Sequence, residues 1–116
     1  MERLKQRAEF LAAAAGLKAP AAGFVLQALT RNDARPARFG FTVSKKVGNA
    51  VERNRVRRRL RDVVRRADAQ GPRTGHDYVL VGRRTALQLP FDRLAADFAG
   101  ALKRVHGKRT RPAESN

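Results

Sequence analysis

The residues in this sequence whose types and spacing could do chemistry are cationic, and they are concentrated between positions 45 and 61. Arginine occupies most positions from 53 to 61, with Asn54 as an uncharged amide among them. A guanidinium group matches phosphate oxygens with two parallel hydrogen bonds and also stacks on unpaired bases. So many like charges repel one another, which favours a polyanionic partner. The pattern predicts recognition of nucleic acid, with folded RNA as the first candidate.

The composition of the whole chain agrees with this prediction and excludes several other classes. Lys plus Arg number 26 against 10 Asp plus Glu, a formal net charge of +16. The chain has no cysteine, so disulfides and thiolate metal sites are excluded and a reducing cytosol is compatible. His76 and His106 are interpreted as a surface loop residue and a helix C-terminal cation, not as a metal or catalytic pair.

Catalytic and metal-ligating residues are expected to be absent, because no carboxylate pair or histidine cluster has the pattern of a metal or acid–base site. The longest apolar stretch near the start is far shorter than a membrane span, and it lacks the pattern of a secretory signal. The sequence therefore predicts a cytoplasmic protein with no membrane partner and no small-molecule substrate.

A long helix must carry the arginines. Asn49 and Glu52 have the spacing of a capping box, and Gly48 supplies a tight entry. The helix is predicted to begin near Ala50 and to run to about Ala69, before a cluster of glycine and proline.

Helical spacing divides this helix into two faces. The predicted apolar stripe consists of Val56, Leu60, Val63, Val64 and Ala67. The opposite, basic stripe consists of Asn54, Arg58, Arg61 and Arg65. Arg55 and Arg57 flank the basic stripe, and Arg53 lies near the apolar edge.

The remaining elements form one domain over residues 1–107. A helix over 7–15 ends at Gly16, strands over 22–31 and 38–44 look like an antiparallel hairpin, and a buried strand over 78–81 returns in parallel after the long helix. A last helix begins at Pro90 and ends at Gly107, and residues 108–116 form a disordered basic and polar tail. In the second strand, Gly40, Thr42 and Ser44 share a small, polar face that is either solvated or a ligand groove.

Between Phe41 and Arg61 the chain reads FTVSKKVGNAVERNRVRRRLR. This run resembles the signature of the protein subunit of bacterial ribonuclease P, the ribonucleoprotein that removes 5′ leaders from precursor tRNA. The resemblance extends more weakly over residues 3–106. It implies an α/β (α+β sandwich) fold in α-β-β-α-β-α order, similar to a ribosomal-protein domain, with a central mixed sheet and a left-handed βαβ crossover.

The resemblance also implies a division of labour with two partners, the ribonuclease P RNA and precursor tRNA. The RNA subunit requires Mg²⁺ and performs the hydrolysis, while the protein holds no cofactor of its own. The residues that match the RNA-binding motif are Arg53, Asn54, Arg55, Arg57, Arg58 and Arg61, to which the basic stripe adds Arg65. The residues expected around the cleft for the leader are Phe10, Lys45, Lys46, Gln27, Thr42 and Ser44.

The sequence departs from the family pattern at a few positions. Some members place aromatic residues where this chain has Ala14 and Gln27, so the cleft has fewer stacking platforms and its base preference stays open. The usual lysine of the signature is here Arg57. Phe10 also fits a core role between the first helix and the sheet.

Two other functions fit the composition. A ribosomal or ribosome-assembly protein that binds rRNA shares the charge and the fold type. A DNA regulator is the third possibility, since an arginine helix with an asparagine is similar to a leucine-zipper basic region. That motif needs a long zipper, however, and this helix is predicted to break at Gly71.

Overall fold

The computed structural model describes the backbone of residues 1–67 and 71–115, and the side chains of residues 1–67 and 71–107. Its elements, in chain order, are β1 (Glu2–Arg3), α1 (Arg7–Ala14), β2 (Leu17–Pro20), β3 (Phe24–Thr30), β4 (Arg38–Thr42), α2 (Ala50–Arg66), β5 (His76–Gly82) and α3 (Phe91–Ser115). Two 3-10 turns, Lys45–Val47 and Arg84–Leu87, precede α2 and α3. The strands form one mixed five-stranded sheet, which confirms the predicted α+β class.

The order of the strands in the sheet is β1-β4-β5-β3-β2. β4 and β5 are parallel and flank α2 in the chain, as predicted. The predicted hairpin of β3 and β4 is wrong, because β5 lies between them and pairs antiparallel with β3. The burial of β5 explains its place: all of its residues except Val81 are buried, and a strand so apolar is stable where it has neighbours on both edges.

The two faces of the sheet are covered by different helices. α2 and α3 pack on one face, over a core that includes Phe24, Leu26 and Tyr78. α1 packs on the other face, where Ala13 and the side chain of Leu4 meet Val79 of β5 in a smaller apolar cluster. The sheet thus separates a large core on the side of α2 from a small one on the side of α1.

Two short strands have no signal in the sequence. β1 has two residues and pairs in parallel with the edge of β4, and β2 pairs antiparallel with β3. Gly16, predicted as a glycine cap after α1, follows Ala15, whose backbone is still right-handed helical. A Cβ at Gly16 would collide with the carbonyl oxygen of Ala28, so the glycine permits close approach of α1 to β3.

The predicted exposure of the two histidines is wrong, because both are buried, His76 with 5% and His106 with 7% of its surface exposed. Their rings meet edge to face at a centroid distance of 5.8 Å, and Tyr78 contacts both: its hydroxyl is 2.8 Å from Nε2 of His106, and its ring stacks on His76 at 5.8 Å. His76 enters the core because it begins the central strand. His106 enters it because it follows Leu102 by four residues and so lies on the buried face of α3.

Both long helices end elsewhere than predicted. α3 runs past Gly107 to Ser115, since a single glycine costs only about 1 kcal/mol in a helix. The disordered tail over 108–116 stays a prediction, because those side chains lie outside the described residues. α2 ends at Arg66, because the backbone of Ala67 is extended. The predicted end near Ala69 lies outside the described residues. Within the described ranges, no helix combines the length and apolarity that crossing a membrane requires.

Candidate nucleic-acid interface

The start of α2 is fixed by the predicted capping box. The backbone N–H of Glu52 donates to Oδ1 of Asn49 at 2.8 Å, and the backbone N–H of Asn49 donates to Oε1 of Glu52 at 3.0 Å. Arg84, from the second 3-10 turn, donates to the other oxygen of Glu52 at 3.1 Å and to the carbonyl of Val47 at 2.6 Å. These contacts, with the hydrogen bond from Arg84 as the largest cause, lower the pKa of Glu52 below its ordinary value.

The apolar stripe of α2 fixes the rotation of the helix about its axis. Val56, Leu60 and Val63 are almost completely buried against the sheet and α3, as predicted. The opposite side of the helix is therefore turned to solvent. Exposed there are Asn54, Arg55, Arg58 and Arg65, with Arg57 and Arg61 half-buried.

Three arginines of α2 have contacts within the fold that change their availability. Arg53 donates to the carbonyl of Gly48 at 2.8 Å, so it braces the turn before the helix. Arg57 donates to Oδ1 of Asn54 at 2.7 Å, which occupies the amide oxygen. Arg59, which was not predicted as a site residue, turns away from this face and donates to the carbonyl of Leu89.

The C-terminal half of the exposed face borders a concavity of about 480 Å³ between α2 and the N-terminus of the chain. Its lining residues are Met1, Arg3, Arg58, Arg61, Asp62 and Arg65. Four guanidinium groups thus surround a single carboxylate. Arg3 is the contribution that sequence reasoning missed, because it reaches this place through the parallel pairing of β1 with β4, which no local pattern reveals. Its guanidinium lies 5.9 Å from the ring centroid of Phe41.

The residues predicted for the leader lie on the α1 side of the sheet. Phe10 of α1 packs over Gly40, where a Cβ would collide with the ring. In the strand register, Gln27 and Gly40 both lie opposite Val79, and Thr42 lies opposite Val81 two residues further on the same face. The structure therefore brings Phe10, Gln27 and Thr42 to one face.

The remaining predicted leader residues follow β4 directly. Ser44 precedes the first 3-10 turn, and Lys45 and Lys46 form part of it; all three are exposed. Phe10 itself is half-buried and packs against Leu4, Ala13 and Val79, so part of its ring fills the small core and part is accessible.

An ion-pair network fixes the position of α1, and hence of Phe10. Arg38 of β4 donates to both oxygens of Asp77, at 2.9 and 2.8 Å, and to Oε2 of Glu9 at 2.8 Å. The other oxygen of Glu9 accepts the backbone N–H groups of Lys5 and Gln6 before α1. These hydrogen bonds lower the pKa of Glu9, with those from the backbone of Gln6 and Lys5 as the largest causes.

The mixed sheet with its three helices defines a small, basic α+β domain. It has two separate candidate surfaces for a polyanion: an arginine face on one side and a partly open aromatic and polar face on the other. In the part of the chain that the structure describes, no group of three or more His, Cys, Asp and Glu side chains is arranged to hold a metal ion.

Comparisons with known proteins place this domain in a family. Residues 1–106 match the family model described as Ribonuclease P. The chain is 53% identical over 104 residues to the ribonuclease P protein component of Gluconacetobacter diazotrophicus, covering 89% of this chain and 90% of that protein. It is 46% identical over 121 residues to that of Paramagnetospirillum magneticum, covering 99% and 91%. The chain belongs to the family of ribonuclease P protein components, as its signature suggested.

Solved structures agree with this assignment. The RNase P protein from Thermotoga maritima superposes with a TM-score of 0.75 at 26% identity, covering 90% of this chain and 98% of that one. The Staphylococcus aureus RNase P protein superposes with a TM-score of 0.69 at 24% identity, covering 89% and 94%, which shows the same fold.

Proposed function

We propose that this protein binds the RNA subunit of ribonuclease P through the outer face of α2 and the 5′ leader of precursor tRNA through the α1 side of the sheet. It thereby supports 5′ maturation of tRNA, in the bacterial cytoplasm, as the protein subunit of an endoribonuclease. The RNA subunit performs the phosphodiester hydrolysis with its own Mg²⁺, and the protein supplies binding and charge neutralisation.

The observation that carries this proposal is the set of arginines around the concavity between α2 and β1. Arg3, Arg58 and Arg61 make no hydrogen bond or ion pair with any other side chain among the described residues, in a chain that belongs to the ribonuclease P family. Placing such cations together is unfavourable without a partner, and an RNA backbone supplies phosphates at this density.

The leader site follows from the residues on the other side of the sheet. A half-buried aromatic ring, polar side chains of two strands and two exposed lysines are the groups that bind single-stranded nucleic acid without base pairing. With Ala14 and Gln27 in place of further aromatic residues, cations and backbone polar groups contribute a larger share of the affinity for the leader.

Reconstitution tests the proposal. The purified protein alone is expected to cleave nothing, and the protein with a bacterial ribonuclease P RNA is expected to process precursor tRNA at lower magnesium than the RNA alone. Absence of any gain would contradict the proposal. Co-sedimentation with ribosomal particles instead would favour the rRNA-binding alternative, and tight binding to one DNA duplex that survives high salt would favour a regulator.

The same assay separates the leader site from the core role of Phe10. Phe10→Ala is expected to weaken binding of precursor tRNA more than binding of mature tRNA, because only the precursor carries the leader. Equal losses for both RNAs, with a lower unfolding midpoint, would assign Phe10 to the core.

A further inference from the structure

A second concavity lies between α2 and α3, on the opposite side of the sheet from the leader residues, and the proposed function does not use it. Its volume is about 560 Å³, within the range of small-ligand sites. The floor is apolar: Ala67 and Ala95 are half-buried and supply its accessible surface, and Val63, Phe98 and Leu102 lie beneath them with at most 4% of their surfaces exposed. Ala99 stands exposed at the opening.

The rim of this groove is cationic. Arg66 comes from the end of α2, Arg73 from the segment before β5, and Lys103 from α3. No acidic residue occurs among the described residues that line the groove. The guanidinium of Arg66 lies 5.1 Å from the ring centroid of Phe91, a contact that holds it beside the opening.

An apolar floor beneath three cations matches a ligand that is flat and apolar at one end and anionic at the other. A nucleotide has this shape: its base has an apolar face, and its phosphates are held outside on the sugar. A base that is paired in a helix cannot enter a groove, so the ligand would be an unstacked nucleotide.

We propose that the groove between α2 and α3 binds an unstacked nucleotide of the RNA subunit, with its base over Ala95 and Ala99 and its phosphates on Arg66, Arg73 and Lys103. The proposal rests on the proposed function, since it extends the same RNA contact. α2 contributes to both surfaces, with Arg65 on the outer face and Arg66 on the groove. An RNA strand on the outer face therefore reaches the groove by passing the C-terminal end of α2.

Directed cleavage tests the location. Because the chain has no cysteine, Ala99→Cys gives a single attachment point for iron–EDTA at the mouth of the groove. Hydroxyl radicals generated there in the holoenzyme with precursor tRNA are expected to cut one short segment of the RNA subunit. Leu11→Cys, on exposed α1, is the matched control and is expected to cut near the leader. Cuts from position 99 in the leader, or none above the unattached reagent, would overturn the proposal.

Binding variants test the chemistry. Arg73→Ala with Lys103→Ala is expected to weaken binding of the RNA subunit about five- to tenfold and to flatten its salt dependence by about one to two counterions. The matched control, Arg83→Ala with Arg7→Ala, removes the same charge from exposed positions outside the groove and is expected to have a smaller effect. Equal losses of RNA affinity in the two double variants would show that only net charge matters at the groove, and would overturn the proposal.

A third variant keeps the charges and fills the groove. Ala99→Trp is expected to weaken RNA binding about fivefold with the salt dependence unchanged, because it displaces a base and leaves the phosphate contacts. Chemical unfolding of each variant checks that the fold is intact. Loss of binding in Arg58→Ala and Arg61→Ala with none in the groove variants would overturn this inference alone, whereas no loss in either set would overturn the proposed function as well.

Discussion

Two arginine-rich regions of this protein have opposite electrostatic surroundings. Around Asp77, Arg31 has only 8% of its side chain exposed and donates to Asp77, to Asp33 and to three backbone carbonyls. On α2, Arg58 and Arg61 make no hydrogen bond or ion pair to other side chains among the described residues. Arginine is thus paired with carboxylates and carbonyls inside the fold in one region, and lies at the surface without such partners among the described residues in the other.

The difference lies in the carboxylates that accompany the arginines. The hydrogen bond from Arg31 holds the pKa of Asp33 well below its usual range. The hydrogen bond to Asp77 raises the pKa of Arg38 above its usual value. On the outer face of α2, the nearby carboxylate is that of Asp62. Its Oδ1 lies 3.6 Å from the guanidinium of Arg65, and 40% of its side chain is exposed. We therefore expect an interface where arginines lack matching acids, and not wherever arginines are numerous.

The largest effect is expected from breaking the interior network. Asp77→Ala removes the acceptor that Arg31 and Arg38 share, and removing one partner of a buried ion pair typically costs about 3–5 kcal/mol. Because Arg31 keeps Asp33 and Arg38 keeps Glu9, we expect a loss near the lower end of this range. Urea unfolding measures the loss. Asp97→Ala, which breaks the exposed pair with Arg93, is the control and is expected to cost less than about 1 kcal/mol. Similar losses from both would show that the Asp77 network does not differ from a surface pair.

A smaller effect on stability and a specific effect on binding are expected on α2. Arg58→Ala and Arg61→Ala should each flatten the salt dependence of RNA binding by about one counterion, because each removes a phosphate contact. Unfolding should be unchanged or slightly improved, since repulsion is relieved. The control on the same helix is Arg59→Ala, which loses the contact to Leu89 and should lower stability without changing the salt slope. An unchanged slope in the Arg58 and Arg61 variants would show that they face solvent only.

The outer face of α2 could be predicted because it depends on local spacing alone. The capping pair Asn49 and Glu52, the buried stripe around Leu60 and the exposed arginines all follow from the periodicity of one helix. The signature from Phe41 to Arg61 identified the family for the same reason: its residues are contiguous in the chain.

What the sequence did not reveal depends on contacts between distant segments. The place of β5 between β3 and β4 is decided by its burial on both faces, not by its neighbours in the chain. The same packing draws His76 into the core, and the pairing of β1 with β4 brings Arg3 beside α2. Each of these contacts joins residues more than 30 positions apart, where local patterns carry no information.

The smallest effect is expected at Glu52, which is half-buried and paired with Arg84 at the start of α2. Arg84 and the backbone of Asn49 lower its pKa below the ordinary value of 4.5, so the charged form is favoured in the folded state. This stabilisation is present above the unfolded pKa and is lost as the pH falls through the lower, folded pKa. Arg84→Ala should therefore lower the thermal midpoint slightly at neutral pH, and in acid the difference from the native chain should shrink to the part that the bond with the carbonyl of Val47 contributes.

Thermal unfolding across this pH range measures the effect, and carbon NMR of the Glu52 carboxyl group follows its pKa, which should rise in Arg84→Ala. Arg83→Ala removes an exposed neighbouring cation that has no carboxylate partner among the described residues, so it should leave both quantities unchanged. A difference for Arg84→Ala that is as large in acid as at neutral pH would assign its whole effect to the bond with the carbonyl of Val47, which does not titrate. Glu52 would then act as a helix cap alone, and α2 would have no titrating ion pair at its start.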